Sequence, residues 1–430
     1  MNILEKNMER ARFEVWKDIH AMPKWVIKKW QEKKLQKLTA YAYKNISLYH
    51  DLWDTNGLKL TDITNSDILK QLPIINKRVF KNKPQEYYIN NEVSKTLPWK
   101  HTSGSTGEPF KFIPASFSPQ TAYADFLSLR FLYWTGIPLT HIIRKTKIIN
   151  IRMSPASSPQ RLFISVADFL KNPGGVITLI RQHDADIIQS YPSILIELSR
   201  LITEKGPGSQ LKFKYALSYG EMLHSSQRVF IEKTLQCELY NKYGLEELGA
   251  VGVECKYHKD FHLNSESFIL ETVDENGRQV PPEKGGRIIL TDLNNYNMPF
   301  IRYDTGDYGR ILENNCPCGL ETERFTIDGR LGLFLNIGPR KIHHFEIAEI
   351  FNKFCNKILQ YQIVKLSTDF LEIRIIPQPS FDNSAQQQLS NVFRSIIGSE
   401  ISFQIKTVGH LEHPSNLGKF RPIIDMAVLK

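Results

Sequence analysis

The sequence predicts an α/β protein with a large N-terminal domain of mixed sheets and helices, including a strand-rich part, and a small α+β C-terminal domain. Three observations carry this. Between about 120 and 235, helical stretches such as "SPQTAYADFLSLRFLYW" and "YPSILIELSRLITEKG" alternate with the short apolar runs "TKIINI", "ADIIQS" and "FKYALSYG". That alternation is the pattern of βα units around a mostly parallel sheet. From about 260 to 330 the pattern changes to strands: "FHLNSESFILETVDENGRQV", "GGRIILTDL", "FIRYDTGDYGRIL". After Gly329-Arg330 the chain carries further short strands and the helix "SAQQQLSNVFRSIIG".

Size and composition bound the answer. At 430 residues the chain is too long for one simple core, and the division expected is 1–330 and 331–430. With 41% hydrophobic and 23% charged residues it reads as globular rather than disordered. No run approaches the ~20 apolar residues of a membrane span. The N-terminal "MNILEKNMERARFEVWKDIH" is charged throughout, unlike a secretory signal. Five cysteines in so long a chain make no disulfide framework, which fits a reducing cytoplasm. The net charge of +10 admits a nucleic acid, a membrane surface or an anionic small molecule. The basic residues gather in "KKWQEKKLQK" without any zinc-finger or helix-turn-helix pattern, so no nucleic-acid partner is expected.

In order along the chain, residues 1–70 read as a helical lead-in. Trp30, Leu35, Leu38, Tyr41 and Ala42 make one apolar stripe against a basic face. "LPIINKRVF" then leads to "HTSGSTGEPFKF". The apolar alternation of "FKFIP" makes the glycine loop the connection between two strands of a hairpin. In "DENGRQ", Asn276-Gly277 marks the tip of another hairpin.

The loop at 102–107 is built to meet an anion. Its small residues let backbone amides approach closely, and the hydroxyls of Thr102, Ser103, Ser105 and Thr106 can donate to phosphate oxygens. A Walker loop needs a lysine after its last glycine, and Glu108 stands there instead. A P-loop NTPase is therefore disfavoured, and alone the loop reads equally well as a flexible Ser/Gly turn.

Its companions are more specific. "SYGEML" (218–223), "YNKYGLEELG" (240–249), "FIRYDTGDYG" (300–309), "IDGR" (327–330) and "NLGKFRP" (416–422) follow in an order and spacing that resemble the adenylate-forming superfamily. "SLYHDLW", "LPIINKRVF", "QSYPSIL" and "NNCPCGLETERFTIDGR" resemble its phenylacetate-CoA ligase and CapK-type branch. The resemblance implies an adenylate-forming N-terminal domain and a mobile C-terminal one. Thr102, Ser103, Gly104, Ser105, Thr106 and Gly107 would then grip the ATP phosphates, with Gly220 and Glu221 beside adenine. Tyr243 of the Tyr243-Gly244 pair would stack on adenine, Glu247 would hold magnesium, and Asp307 would accept the ribose hydroxyls. Arg330 would meet ribose or phosphate, and Lys419 would bridge the carboxylate and α-phosphate. The implied acceptor of the acyl group is coenzyme A, a carrier-protein thiol or an amine such as an amino sugar, with capsule or polysaccharide synthesis as the setting. A homodimer is the implied assembly. The acid would be selected near Tyr191, Tyr219 and Leu245.

Some positions depart from the family pattern. Glu246 replaces a hydroxyl residue, Gly332 stands at the hinge aspartate, and His344 stands where proline is common. These changes motivate a second reading, a catalytically degenerate protein that binds nucleotide or acyl-adenylate for a partner.

Cys255 precedes His258 and His262, and "CPCG" contributes Cys316 and Cys318. Thiolates plus one imidazole suit a closed tetrahedral zinc site. His262 is preferred because "HLNSE" resembles the family's strand histidine, with His258, at Cys-x2-His spacing, as the alternative; reduced buried cysteines are the competing reading. Cys237 and Cys355 are expected in cores.

Overall fold

The first long helix is shaped by its sequence stripe. In the computed structural model, α1 (Lys24–Asn45) buries Ile27, Leu35, Leu38 and Ala42 on one side, while Lys28, Lys29, Lys33 and Lys37 face solvent. The residues described are 19–59, 66–81, 83–90, 99–101, 110–113, 121–138, 141–142, 146–153, 161–206, 210–338, 340–412 and 420–426. They divide into two compact units, Met1–Ile143 with Lys242–Asp328, and Arg144–Asn241 with Gly329–Lys430.

In the first unit, α1 is followed by α2 (Ser47–Thr55), whose Tyr49 and Trp53 are buried. The Tyr49 hydroxyl donates to the Pro299 carbonyl at 2.6 Å and accepts from the Ile301 amide at 3.1 Å, so its polar end is satisfied inside the core. The short α3 (Lys77–Lys81) buries Phe80 beside Phe110, Phe300 and Tyr303. Each such large apolar side chain contributes roughly 1.5–3 kcal/mol by leaving water. β1 (Lys100–His101) pairs antiparallel with β2 (Lys111–Phe112), with Lys100 opposite Phe112. The hairpin expected around the glycine loop is therefore present at both of its feet. α4 (Thr121–Trp134) packs against β8 (Gly249–Glu254).

The strand-rich part of this unit follows the order β10-β11-β12-β13-β9-β8. The ranges are β9 Phe261–Leu263, β10 Phe268–Val273, β11 Gly286–Asp292, β12 Tyr303–Leu312 and β13 Arg324–Arg330. Residues 242–245, the end of β7 (Glu238–Leu245), pair with β8. Strict alternation of buried and half-buried residues along β12 follows from the two-residue period of a strand with one face on the core. β10 and β11 are antiparallel, and Asp274 to Arg278 form the expected turn at Asn276-Gly277.

In the second unit the strand order is β7-β6-β5-β3-β4. β3 (Ile148–Arg152), β4 (Arg161–Ser165), β5 (Ile187–Ser190) and β6 (Tyr215–Tyr219) run parallel. They are connected through α5 (Val166–Lys171), α6 (Pro173–His183) and α7 (Pro192–Lys205), and α8 (Ser225–Leu235) follows β6. Proline at the first turn of α6 and of α7 costs nothing, because those amides have no helical acceptor. Ile149, Ile151, Ile188, Ile194 and Leu195 form the core between strands and helices.

The C-terminal part of that unit begins with the hairpin β14 (Phe334–Ile337) and β15 (Arg340–His343), followed by α9 (His344–Lys353). A four-stranded sheet of order β18-β17-β16-β19 carries α10 (Asn383–Ile397). Its strands are β16 Ile358–Lys365, β17 Phe370–Pro377, β18 Ser402–Thr407 and β19 Ile423–Asp425. The Asp382 carboxylate caps α10 by accepting from the Ala385 amide at 2.8 Å, a contact worth about 1 kcal/mol. Leu359, Ile376 and Leu411 join the core of Ile149 and Ile188, so both segments of this unit share one apolar interior. Among the described residues no helix is long and apolar enough to cross a membrane.

Candidate active site and metal centre

In the first unit, β7 ends in Tyr243-Gly244-Leu245 and turns into β8, and β12 carries Asp307. The Tyr243 ring packs against Phe261 and Phe325, and its hydroxyl donates to Asp307 Oδ2 at 2.7 Å. Packing fixes the ring, and the hydrogen bond fixes its polar end. Glu247 lies in the β7–β8 turn and is 2% exposed. Its Oε1 accepts from the Tyr303 hydroxyl at 2.7 Å and faces Lys77 Nζ at 3.3 Å. Glu246, the neighbouring departure from the family pattern, is exposed.

In the second unit, the chain leaves the carboxyl ends of the parallel strands, the end at which open α/β sheets bind ligands. The Tyr219 hydroxyl donates to Asn150 Oδ1 at 2.7 Å, and Tyr191 meets the Tyr219 ring edge-on at 5.3 Å. Gly220 follows with φ 76°, a left-handed turn that a residue with a Cβ resists. The Glu221 carboxylate accepts from the Ser193 amide and hydroxyl at 3.1 Å each, and from the Phe420 amide at 2.9 Å. It therefore ties the N-terminus of α7, where the helix dipole favours an anion, to the residue that follows Lys419 in the chain. Arg330 ends β13 half-buried. Gly332 has φ 91° with no atom near a built Cβ, so backbone conformation rather than space favours glycine there. Thr102, Ser103, Gly104, Ser105, Thr106, Gly107 and Glu108 lie outside the described residues, as does Lys419.

The cysteine and histidine residues converge. Cys255 follows β8, and β9 lies between β8 and β13 with His262 opposite Val253 and Arg324. The turn between β12 and β13 carries Cys316 and Cys318 to the same place. The donor atoms of Cys255, His262, Cys316 and Cys318 all lie within 4.8 Å of one another. Cys255 Sγ is 3.6 Å from Cys316 Sγ, and Cys318 Sγ is 3.4 Å from His262 Nε2. A tetrahedron with zinc–sulfur bonds of ~2.3 Å has edges of roughly 3.8 Å, so this donor set fits zinc. His262 Nδ1 lies 3.0 Å from Thr322 Oγ1, which orients the ring with Nε2 toward the thiols. Hydrogen bonding between two of the thiols pushes Cys255 up to about 12 and Cys318 down. His258 is elsewhere, in a turn with φ 51° and with Nδ1 3.4 Å from Glu254. Cys237 packs at the edge of the second unit's core, and Cys355 is half-buried.

Motif reading did not assign roles to Lys77 or Tyr303, although both stand in quoted stretches. It also missed a buried ion pair, in which Arg130 binds Glu266 at 2.7 Å with His20 Nε2 at 3.4 Å. Burial alone would raise the Glu266 carboxyl; the Arg130 guanidinium overrides it and holds the group down at about 2.

The fold is shared with solved acid–coenzyme A ligases. A crystal structure of 2-hydroxyisobutyryl-CoA ligase in the postadenylation state, in complex with R3-HIB-AMP, aligns with TM-score 0.75 and 17% identity over 96% of this chain and 92% of that one. Anthranilate CoA ligase AuaEII in complex with anthranoyl-AMP aligns with TM-score 0.50 and 13% identity, over 83% of this chain and 74% of that one. In sequence the chain is similar to phenylacetate-coenzyme A ligases. That of Thermus thermophilus is 23% identical over 393 residues, 87% of each chain. That of Escherichia coli is 22% identical over 418 residues, 92% of this chain and 94% of the relative. No family model matches the chain. In fold the chain is therefore similar to acid–coenzyme A ligases, and in sequence it is similar over most of its length to phenylacetate-coenzyme A ligases.

Proposed function

We propose that the protein is an AMP-forming acid–coenzyme A ligase. A carboxylate oxygen attacks the α-phosphorus of ATP and the bond to the β-phosphate breaks, giving acyl-adenylate and pyrophosphate. The coenzyme A thiolate then attacks the acyl carbon and AMP leaves. The observation that supports this reading best is the hydrogen bond between Tyr243 and Asp307, which joins the ring and the carboxylate that the reading assigns to adenine and ribose, with the buried Glu247 in the same unit.

The chemistry needs little acid or base help, because the nucleophile is already ionised. Catalysis is chiefly positioning and neutralisation of converging anions. Tyr243 offers its face to adenine and Asp307 accepts from ribose. Glu247 would hold a divalent cation such as magnesium, which supplies positive charge to the phosphates. Thr102, Ser103, Ser105 and Thr106 donate to phosphate oxygens, and Lys419 meets the carboxylate and α-phosphate. In this reading residues 331–430 form the small domain that pivots at Gly332, and the pivot would part Leu359, Ile376 and Leu411 from the core of Ile149 and Ile188. Zinc held by Cys255, His262, Cys316 and Cys318 has a structural role, because all four positions are filled by protein and none is left for a substrate.

The test is incubation with ATP, magnesium, coenzyme A and a panel of carboxylic acids, with mass spectrometry of acyl-CoA and AMP. Acyl-CoA formed with one acid supports the reading. AMP release that requires a carrier-protein thiol or an amino sugar in place of coenzyme A would move the acceptor to that class. Nucleotide binding without any AMP release would favour a degenerate binding protein.

A further inference from the structure

Glu247 Oε1 is held by the Tyr303 hydroxyl at 2.7 Å and by Lys77 Nζ at 3.3 Å. Tyr303 contributes a neutral hydrogen bond, so among the described residues the Lys77 ammonium balances a carboxylate that is only 2% exposed. Lys77 itself is 28% exposed, on a flexible four-carbon stem, and can leave this partner without unfolding anything.

Its backbone is firmly placed. The Ile75 amide donates to the Arg302 carbonyl at 3.0 Å, and the Asp304 amide donates to the Ile75 carbonyl at 2.8 Å. Phe80, three residues past Lys77, has its ring 5.4 Å from Phe110 and 6.4 Å from Tyr303. The segment is thus wedged between the strand whose Tyr303 holds Glu247 and the residue from which β2 resumes after the Thr/Ser/Gly stretch. That stretch brings hydroxyls but no lysine.

We propose that Lys77 is a phosphate-binding residue, which neutralises Glu247 in the nucleotide-free chain and passes to the β- and γ-phosphates when ATP arrives with its divalent cation. The inference rests on the ligase reading above. With its carboxylate engaged by a divalent cation, Glu247 would release the Lys77 ammonium, which the triphosphate would attract. As the carboxylate oxygen bonds to the α-phosphorus, the electron pair of the breaking bond goes to the β-phosphate oxygen. The Lys77 ammonium stabilises that developing charge by hydrogen bonding, with no proton transferred.

Calorimetric titration of Lys77→Met and wild type with ATP and with AMP, each in EDTA and in magnesium, tests this. The expected result is ATP binding weakened about tenfold or more, the effect of roughly 1.4 kcal/mol, with AMP affinity unchanged and ATP affinity restored by Lys77→Arg. Equal weakening for ATP and AMP, or no change for either, overturns it. If Lys77→Met does not fold, lysine acylation of the wild type read by mass spectrometry decides instead. Protection of Lys77 by ATP but not AMP supports the proposal, and equal protection by both sinks it. A wild type that binds ATP and supports ATP–pyrophosphate exchange while Lys77→Met is unaltered rejects Lys77 alone. A wild type that does neither removes the ligase reading, and this proposal with it.

Discussion

Tyr243 donates its hydroxyl to Asp307 at 2.7 Å, across the β7 and β12 strands that carry two of the sequence motifs. In the free chain the tyrosine therefore occupies the acceptor that the ligase reading assigns to ribose.

This gives an ordered set of nucleotide affinities. Asp307→Asn should weaken ATP and AMP by about tenfold or more, since a hydrogen bond to a charged group contributes roughly 1.5–3 kcal/mol. Tyr243→Ala should cost about as much, because stacking of a base on an aromatic ring is worth ~1–3 kcal/mol. Tyr243→Phe keeps the ring against Phe261 and Phe325 and removes only a competitor for Asp307, so it should be nearly silent. Calorimetric binding of AMP checks all three, and a Tyr243→Phe loss as large as that of Asp307→Asn would contradict the assignment.

The metal centre makes a sharper claim. Purified protein should carry about one zinc per chain, by atomic absorption, as a closed four-ligand site requires. His262→Ala should lose it and His258→Ala should keep it, because His262, and not His258, joins the cysteines. Removal should lower Tm, by about 2–4 °C for each 1 kcal/mol lost. Zinc retained in His262→Ala would refute the ligand set.

His344 sets a pH dependence. Burial, aided by the charge of His224, lowers its imidazole to about 4, and neither ring nitrogen has a hydrogen-bond partner among the described residues. The unfolded chain binds this proton near pH 6.5 and the folded one does not. Its contribution to stability is therefore fully present above pH 6.5 and is lost as pH falls toward 4. With about 1.4 kcal/mol per pH unit, the loss approaches ~3 kcal/mol. Denaturant unfolding of His344→Phe should be flatter than wild type across that window. Identical pH profiles would show that His344 does not carry the effect.

Much of this was legible in the sequence, and the reasons are local. The loop hairpin followed from "FKFIP" and the β10–β11 hairpin from Asn276-Gly277, because turn chemistry and a two-residue period are short-range signals. Cys255, Cys316 and Cys318 could be grouped by residue type alone. Spacing left His258 and His262 open, and the choice depends on the β8–β9 register, which sets His262 opposite Val253. The contact of Lys77 with Glu247 was not legible, since nothing in "LPIINKRVF" encodes which distant carboxylate a lysine will meet. Nor does periodicity disclose that Leu359, Ile376 and Leu411 share a core with Ile149 and Ile188. An apolar stripe announces burial without naming its partner.

The central claim is acid activation at the site of Glu247, and ATP–pyrophosphate exchange without coenzyme A measures it most directly. With a carboxylic-acid panel, the wild type should exchange label in the presence of at least one acid and not in its absence. Glu247→Gln, which keeps the shape and removes the charge, should lower that rate by about a hundredfold or more, the scale at which loss of one preorganised charge acts in a phosphoryl site. Tight ATP binding with no exchange for any acid, or full exchange by Glu247→Gln, would contradict the account.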